Sequence, residues 1–429
     1  MSVALTTSPS GSTVAAKRRL QPLDVIFYAI TLLIPIELIV QTAFGASMAF
    51  GRFIAPLFIV AYIALRPPSA AFRLPPGFLL AVPWFVTAFA HIAVQGDWYG
   101  VYNYRSYVLN AILCVAAYNY ALSNRPSPRH VLLTTYVGIT LMALWSFTSG
   151  QAAEVHRGRF TVLDMDENGL GSTYGLAVVI APLLASRADV RLPMKAMLVA
   201  GALPCAALLL ATGSRGALVS TVLAILVQSL YLAIFQRRGG LLIGGLVLAT
   251  IVGVGKYFYD QTDIIRDRMA QVVAESSDED RYGHRDILIF GALEILGESP
   301  FVGWGEKAGW NELGRRVMRG SRDHSGTHNT YLLVLITSGV FAGGAFLWWA
   351  LRPMIPRPKL LAISDYGNLY VVMVFLYGTF LTLDRLGHRQ WWWLFPIFLA
   401  QEGLARAASR RAVPAQRPYR PSFIQSRVA

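Results

Sequence analysis

Residues 216–235 read GALVSTVLAILVQSLYLAIF, twenty consecutive residues without a charged side chain, and Arg237 and Arg238 follow after Gln236. A run of this length can cross a hydrocarbon core of about 30 Å as an α-helix. In hydrocarbon no water is present, so backbone N–H and C=O groups must form hydrogen bonds with each other. The run also lacks the alternating polarity of a membrane β-strand. The stretch therefore predicts a membrane-spanning helix that ends at a basic loop.

Apolar runs of the same kind recur along most of the chain. It has 429 residues, of which 55% are hydrophobic and 14% charged, whereas a soluble domain usually has about 25% charged residues. We therefore expect an all-α polytopic membrane protein with about twelve transmembrane helices. The helices are predicted near 24–42, 48–65, 77–95, 101–122, 131–149, 169–186, 195–212, 216–235, 240–258, 329–351, 367–384 and 391–405.

Short basic clusters precede the first predicted helix and follow every even-numbered one. They lie at 17–19, 66–73, 125–129, 187–195, 237–238, 352–359 and 406–420. Cytoplasmic loops carry an excess of Lys and Arg, so this pattern predicts that both termini are cytoplasmic. The formal net charge of +14 then indicates contact with anionic lipid headgroups and not with nucleic acid.

The predicted organisation is a cytoplasmic tail at 1–23, a membrane domain at 24–406 and a basic cytoplasmic tail at 407–429. A long extracytoplasmic loop is expected at about 259–328, with a short amphipathic helix at 287–296 and a turn at 298–305. The two cysteines, Cys114 and Cys205, lie inside apolar runs. We expect them to be small core residues, without a disulfide or a metal site.

An arginine lies where positive charge is not expected, in the turn Thr212-Gly213-Ser214-Arg215-Gly216-Ala217 on the predicted outer side. The planar guanidinium of Arg215 can bind phosphate oxygens bidentately, and the glycines let a ligand approach the backbone. The alternative is an interfacial anchor that extends to water. Residue chemistry alone leaves both interpretations open.

His328 closes the long loop and opens predicted helix ten. Its imidazole can accept a proton from a sugar hydroxyl, or bind a phosphate once charged. The alternative is a polar residue at a helix start that Asn329 or Thr330 caps. Arg285 precedes the amphipathic helix and can help neutralise a diphosphate, or it can simply pair with Asp286.

Two weaker candidates share the predicted outer face. Arg389 and Arg385 can add to an anion-binding rim or pair with Asp384. Asp164 and Asp166 form a D-x-D pattern, which in metal-dependent sugar transferases holds a divalent cation on a diphosphate. So short a pattern often arises by chance, and we expect no metal here.

Two ionisable residues, Glu37 and His91, lie inside predicted helices. Such residues are functional candidates by default. Both lie close enough to the predicted membrane boundaries to be solvated, so we do not place them in the site.

Three motifs occur in order along the chain. They are the TGSRGA turn around Arg215, then Arg285 with Glu298-Ser299-Pro300 and Gly303-Trp304-Gly305, and finally His328-Asn329-Thr330-Tyr331-Leu332 with Gly339. Each is weak alone, but their order, spacing and shared outer placement resemble the O-antigen ligase superfamily. This group includes O-antigen ligases, Wzy-type polysaccharide polymerases and some protein O-glycosyltransferases. The resemblance covers residues 160–350 approximately. One position departs from the family pattern. The family often has a second small or aromatic residue three positions after Gly339; here Ala342 occupies that position, and Gly343 follows it.

The resemblance implies a bacterial inner-membrane glycosyltransferase of the GT-C class, metal-independent, inverting and without a cofactor. Such enzymes move glycan from undecaprenyl diphosphate to an acceptor on the periplasmic side. By analogy, Arg215 and Arg285 bind the donor diphosphate, and His328 activates the acceptor hydroxyl or assists at the diphosphate. Arg389 is a further candidate for the diphosphate. The acceptor is lipid A core in O-antigen ligation or a growing glycan in polymerisation, and the motifs fit both.

Two other classes compete with a transferase. One is a glycolipid transporter or flippase, and the other is a non-enzymatic component of polysaccharide export. Transporters often carry inverted repeats and polar residues at the membrane midplane. The sequence shows no internal repeat, and its unusual charges fall on one predicted face.

Overall fold

The computed structural model describes most of the membrane domain. The described residues are 21–44, 50–66, 71–96, 98–124, 126–148, 152–155, 159–162, 167–236, 245, 249, 252–253, 256, 279–317, 327–381, 383 and 389–411. The predicted helix at 240–258 falls almost wholly outside these ranges, as do Asp164, Asp166, Asp384 and Arg385.

The described chain is predominantly helical. The long helices are α1 (Pro22–Phe44), α2 (Phe50–Leu65), α3 (Val82–Gln95), α4 (Trp98–Asn124), α5 (Pro128–Thr148), α6 (Glu167–Ala185), α7 (Leu192–Ala211), α8 (Arg215–Ile234), α9 (Glu279–Glu298), α10 (Glu306–Val317), α11 (Thr330–Leu351), α13 (Ser364–Thr379) and α14 (Arg389–Arg411). Short helical turns are α12 (Pro358–Leu361) and the 3₁₀ turns Phe78–Ala81 and Arg352–Met354. Apart from the one at 240–258, every predicted helix has a counterpart.

One β-hairpin interrupts the helical architecture. Strand β1 (Ala152–Val155) pairs with β2 (Arg159–Val162) in antiparallel fashion, with Ala152 opposite Val162. The expectation of an all-α fold is therefore correct for the bundle and wrong for this connection between α5 and α6. A hairpin leaves strand edges unpaired, which water tolerates and hydrocarbon does not.

Six described helices are long and apolar enough to cross a membrane by length and composition. These are Phe78–Gln95, Pro128–Thr148, Asn168–Ala185, Leu192–Ala211, Arg215–Ile234 and Thr330–Met354. On α8, the exposed side chains are Val219, Leu223, Leu226, Leu230 and Ile234. They recur every three or four residues and so form one apolar stripe. Soluble monomers rarely expose such a surface, and the chain is a multi-pass membrane protein.

Ion pairs join the helix ends at one side of the bundle, which we call the basic end. Arg187 follows α6 and pairs with Asp189 at 3.0 Å and with Asp365, at the start of α13, at 2.7 Å. Arg129, at the start of α5, pairs with Asp189 at 2.7 Å. These arginines belong to two of the basic clusters from which the sequence predicts the cytoplasmic side.

The centre of the bundle is aromatic. The side chains of residues 391–393, three consecutive tryptophans in α14, are almost completely buried. The indole nitrogen of Trp393 donates to the hydroxyl of Thr31 in α1 at 3.0 Å. Cys114 and Cys205 are buried and not joined in a disulfide, so the prediction that they are core residues is confirmed.

Helix α11 is broken at Gly339, whose φ is 73° and ψ 175°. Almost only glycine adopts this conformation. A Cβ on Gly343 would lie 2.8 Å from the carbonyl oxygen of Val334, although nine residues of straight helix span about 13.5 Å. The chain therefore bends back sharply, and α11 consists of a first arm (residues 330–338) and a second arm (residues 340–351).

Candidate functional site

The break in α11 is filled by residues 300–305, which we call the bridging loop. The backbone N–H of Trp304 donates to the carbonyl of Ile336 at 2.7 Å, and that of Gly305 donates to the carbonyl of Thr337 at 3.1 Å. The break at Gly339 deprives these carbonyls of their helical partners. Membrane proteins tolerate such a break only where other protein groups satisfy the backbone, and the bridging loop does so.

Two glycines let the bridging loop approach this closely. Beyond the break, the N–H of Val340 donates to the carbonyl of Pro300 at 2.7 Å. A Cβ on Gly339 would lie 2.3 Å from the carbonyl oxygen of Phe301, and a Cβ on Gly303 would lie 2.5 Å from that of Ile336. Neither contact is possible for a real side chain, so both positions require glycine.

The bridging loop is held in shape by the residues of its own motif. The hydroxyl of Ser299 donates to the carbonyl of Gly303 at 2.8 Å. Glu298 pairs with Arg316 of α10 at 2.6 Å. The prediction of a turn at 298–305 is confirmed. The sequence did not reveal that this turn supports a broken helix 30 residues further on.

His328 lies directly before the first arm in an unusual backbone conformation. Its φ is 45°, a left-handed value that costs energy for a residue other than glycine, and its side chain is exposed. The helix cap is Asn329, whose side-chain oxygen accepts from the N–H groups of Tyr331 at 3.0 Å and Leu332 at 3.1 Å. Since Asn329 supplies the cap, capping does not account for His328.

The start of the first arm is fixed to the end of α13. The N–H of Thr330 donates to the carbonyl of Phe380 at 2.8 Å, and its hydroxyl donates to the carbonyl of Leu383 at 2.6 Å. The hydroxyl of Tyr331 donates to the carbonyl of Tyr377 at 2.8 Å. His328 is therefore positioned by the helix-end backbone of α13.

Arg215 is the first residue of α8 and is half-buried. Ser214 caps the helix, because its hydroxyl accepts from the N–H of Ala217 at 3.3 Å. The same hydroxyl donates to the side-chain oxygen of Asn168 at 2.9 Å. A Cβ on Gly171 would lie 2.9 Å from the Cβ of Ser214. The starts of α6 and α8 are therefore in close contact.

Further contacts bring the same region to α13 and α14. A Cβ on Gly378, near the end of α13, would lie 3.0 Å from the hydroxyl of Ser220, five residues after the start of α8. The amide of Gln390 donates to the hydroxyl of Thr173 at 3.4 Å, which places the start of α14, and so the backbone of Arg389, beside α6. We call this region the site end: the starts of α6, α8, α11 and α14 with the end of α13.

The remaining candidate, Arg285, lies in the first half of α9, and only its backbone is described. Leu288 and Ile295 of α9 share one apolar cluster with Ile336 of the first arm. Helix α9 and the first arm pack side by side, and both end at the bridging loop. Their first residues therefore lie at the same end of this helix pair. That arrangement places the backbone of Arg285 toward the His328 end of the first arm.

The site end is electrostatically suited to an anion. Four helices begin there, and each helix start carries a partial positive charge. The structure brings together the helix starts that bear Arg215, His328 and Arg389. The side chains of Arg285 and Arg389 lie outside the described residues, and convergence of all four side chains stays a prediction.

The described residues form a multi-pass membrane protein in which α11 is broken and the helix ends of the site end are in close contact. Residues 200–347 match the family model described as O-Antigen ligase. The matched segment runs from α7 into the second arm of α11, so it contains Arg215, Arg285, the bridging loop and His328. This match supports the resemblance to the O-antigen ligase superfamily that the motifs predict. No curated protein sequence matches the chain.

Proposed function

We propose that this protein is an inverting, metal-independent membrane glycosyltransferase of the GT-C class. It takes glycan from undecaprenyl diphosphate and passes it to lipid A core or to a growing glycan on the periplasmic side. About twelve helices cross the bacterial inner membrane, and both termini are cytoplasmic. One observation carries the proposal: the O-antigen ligase domain holds Arg215 and His328, and α13 joins the helix starts that bear them.

The donor suits the site end by charge and by position. A lipid diphosphate has its charge at the headgroup plane and its tail in the bilayer, so it needs cations at the rim of the membrane domain. Arg215, Arg285 and Arg389 supply guanidinium groups, and the four helix starts add partial positive charge. Fixed positive charge stabilises a diphosphate leaving group as its bond to the sugar breaks.

The reaction is a single displacement at the anomeric carbon of the donor sugar. The acceptor hydroxyl oxygen attacks that carbon on the face opposite the diphosphate and forms the new glycosidic bond. The bond from the anomeric carbon to the diphosphate oxygen breaks, and its electron pair leaves with undecaprenyl diphosphate. His328 accepts the hydroxyl proton. The left-handed backbone of this exposed histidine supports that role, because strained residues cluster at functional sites.

Reconstitution tests the reaction directly. Purified protein in liposomes receives undecaprenyl-diphosphate-linked glycan, with or without lipid A core. Transfer of glycan to the core indicates a ligase, and longer chains on the carrier lipid indicate a polymerase. Intact donor that only moves between leaflets would refute the proposal in favour of a flippase, and donor that stays unchanged and in place would refute it outright.

A conservative substitution separates a diphosphate ligand from an interfacial anchor. Arg215→Lys keeps the positive charge but loses the bidentate fork. We expect the transfer rate to fall about 100-fold, the size of effect seen when one stabilising donor is removed. Arg352→Lys, the same change at the opposite side of the bundle, is the matched control and should transfer at the wild-type rate. Full activity of Arg215→Lys would contradict the assignment.

A further inference from the structure

Helices α9 and α10 expose different surfaces. Helix α9 exposes Ile289, Phe290 and Leu293, which we call the apolar face of α9. Leu293 is three positions after Phe290 and four after Ile289, so the three side chains share one side of the helix. The exposed side chains described in α10 are all polar: Lys307, Asn311 and Arg315. Water suits the surface of α10, whereas an exposed apolar face marks an interaction site.

The charged edge of α9 is already used within the protein. Arg316 of α10 pairs with Glu298 at 2.6 Å and with Glu294 at 3.4 Å. These two carboxylates are four residues apart, so they form a second stripe on α9, directed at α10. The ion pairs therefore set the order of the helices: α10 lies beside the charged edge of α9, and the apolar face stays uncovered by the described residues.

The bridging loop, at which α9 ends, lies at the end of a membrane helix. A ring nitrogen of His91 lies 2.9 Å from the carbonyl oxygen of Val302, and the amide of Gln95 donates to the carbonyl of Trp304 at 2.7 Å. Gln95 is the last residue of α3 and of the membrane span Phe78–Gln95. The bridging loop is therefore fixed at the membrane boundary.

The other end of the first arm is also tied to a membrane helix. Its start is bonded to the end of α13 through Thr330 and Phe380, and its end meets the bridging loop. The first arm thus runs from the end of α13 to the end of α3. Helix α9 packs beside it, since Leu288 and Ile295 share a cluster with Ile336, so α9 runs along the membrane domain and does not project away from it.

An aromatic contact joins α9 to the surface that faces lipid. The rings of Phe301 and Phe341 are stacked, with centroids 5.5 Å apart and planes at 14°, and both side chains are exposed. Phe341 and the exposed Trp348 are seven residues apart in the second arm, which places them on one side of the helix. That arm belongs to the membrane span Thr330–Met354. The apolar surface of a membrane helix therefore continues onto the bridging loop, three residues after α9.

We propose that α9 is an interfacial helix whose apolar face is immersed in the bilayer on the side of the site end. Helices of this kind lie in the plane of the membrane with the apolar side about 5–10 Å deep in the boundary between headgroups and acyl chains. Helix α10 then lies above α9, in water.

This placement has a consequence for the donor site. Arg285 precedes Ile289 by four residues in the same helix, so a docked α9 holds the backbone of Arg285 at the headgroup plane. The diphosphate of a lipid-linked donor lies at that plane. The consequence rests on the proposed function, whereas the docking of α9 does not.

Spin labels on the full-length protein measure the docking. A nitroxide is attached to Leu293→Cys or, as a second site, to Phe290→Cys, in nanodiscs of phosphatidylethanolamine and phosphatidylglycerol. Oxygen concentrates in hydrocarbon and a nickel chelate stays in water. We expect the ratio of oxygen to nickel accessibility to be several-fold higher at both sites than at Asn311→Cys on α10. Wild type, whose two cysteines are buried, gives the background labelling.

Equal ratios at Leu293→Cys, Phe290→Cys and Asn311→Cys would show that the apolar face is in water and would overturn the proposal. Labels that lose access to both reagents, with dipolar broadening between two copies of the chain, would assign the face to a dimer interface instead. Protection from nickel that appears only when undecaprenyl diphosphate is added would assign it to the tail of the carrier. Either result would also overturn the proposal.

A charged substitution tests the consequence for the donor. Leu293→Asp places a carboxylate against the acyl chains and should lift α9, so the KM for the lipid-linked donor should rise several-fold while kcat is unchanged. Asn311→Asp, on the water side, is the matched control and should leave both constants unchanged. An unchanged donor KM in Leu293→Asp would refute the link between docking and Arg285.

The docking and the proposed function fail in different ways. Labels immersed in lipid on a protein that transfers no glycan would sustain the docking and refute the transferase. Glycan transfer by a protein whose label at Leu293→Cys is as open to nickel as that at Asn311→Cys would refute the docking alone.

Discussion

The break in α11 should make Gly339→Ala one of the most damaging single-methyl additions in the protein. Alanine at φ 73° and ψ 175° is in a region that costs of order 1–3 kcal/mol for a residue with a side chain. Its Cβ would also meet the carbonyl of Phe301 at 2.3 Å and that of Pro300 at 2.8 Å. Both are backbone atoms, so no side-chain rotation relieves the overlap.

Relief requires the bridging loop to move away from the first arm. That movement strains the bonds from Trp304 to Ile336 and from Gly305 to Thr337, and each backbone group left buried without a partner costs about 1–3 kcal/mol. Strain plus one or two lost bonds amounts to about 2–9 kcal/mol. Total stabilities are only about 5–15 kcal/mol, so this is a large fraction.

Thermal unfolding of detergent-purified protein measures the effect. Gly339→Ala should lower the melting temperature by roughly 2–10 °C and reduce glycan transfer in the fraction that remains folded. Gly344→Ala is the control, because a Cβ there meets nothing within 4 Å and alanine favours a helix by about 1 kcal/mol. A Gly339→Ala protein as stable and active as Gly344→Ala would refute the broken-helix account.

Three further predictions concern His328, Ser214 and Glu312. His328→Gly should abolish transfer yet leave the melting temperature level or raised, because glycine adopts φ 45° without strain; a marked loss of stability would show that the histidine is structural. Ser214→Ala should destabilise the protein by about 1 kcal/mol, since it removes both the cap of α8 and the bond to Asn168, and an unchanged denaturation curve would contradict this. The Arg315 guanidinium, assisted by Arg316, holds the pKa of Glu312 below its ordinary value of 4.5. The ionised carboxylate of Glu312 therefore stabilises α10 at pH values above its ordinary pKa. This stabilisation is lost as the pH falls through the lowered pKa of the folded protein. Hydrogen exchange in residues 306–317, corrected for intrinsic rates, should speed up in acid, and less so in Glu312→Gln.

The membrane helices were predictable because their signal is local. The apolar run at 216–235 becomes a helix at Arg215–Ile234, and hydrocarbon leaves such a run no other structure. Helix α10 was missed because Glu306–Val317 is polar and short, and such a segment has no hydropathy signal. The strands Ala152–Val155 and Arg159–Val162 were not predicted because four residues are too few for a clear strand pattern.

The broken helix was not predictable from its own residues. The sequence around Gly339 is small and apolar, and suits a continuous helix. Its conformation depends on residues 300–305, more than thirty positions earlier, whose N–H groups replace the helical bonds. The glycine in the motif was a visible signal, but its meaning required the tertiary contact.

In the candidate site, too, single residues were predictable from the sequence and contacts between distant residues were not. Arg215 and His328 stood out because each breaks an expectation about charge or position in a membrane protein. The pairing of Asn168 with Ser214, 46 residues apart, and that of Thr173 with Gln390, 217 apart, left no trace in the sequence. Contacts of that kind depend on how helices pack.

A cryo-electron microscopy structure with undecaprenyl diphosphate bound would show where the donor diphosphate lies. We expect diphosphate density at the site end, within hydrogen-bonding distance of the Arg215 guanidinium and facing His328. Density at the basic end beside Arg187, or at the site end without a contact to Arg215, would contradict it.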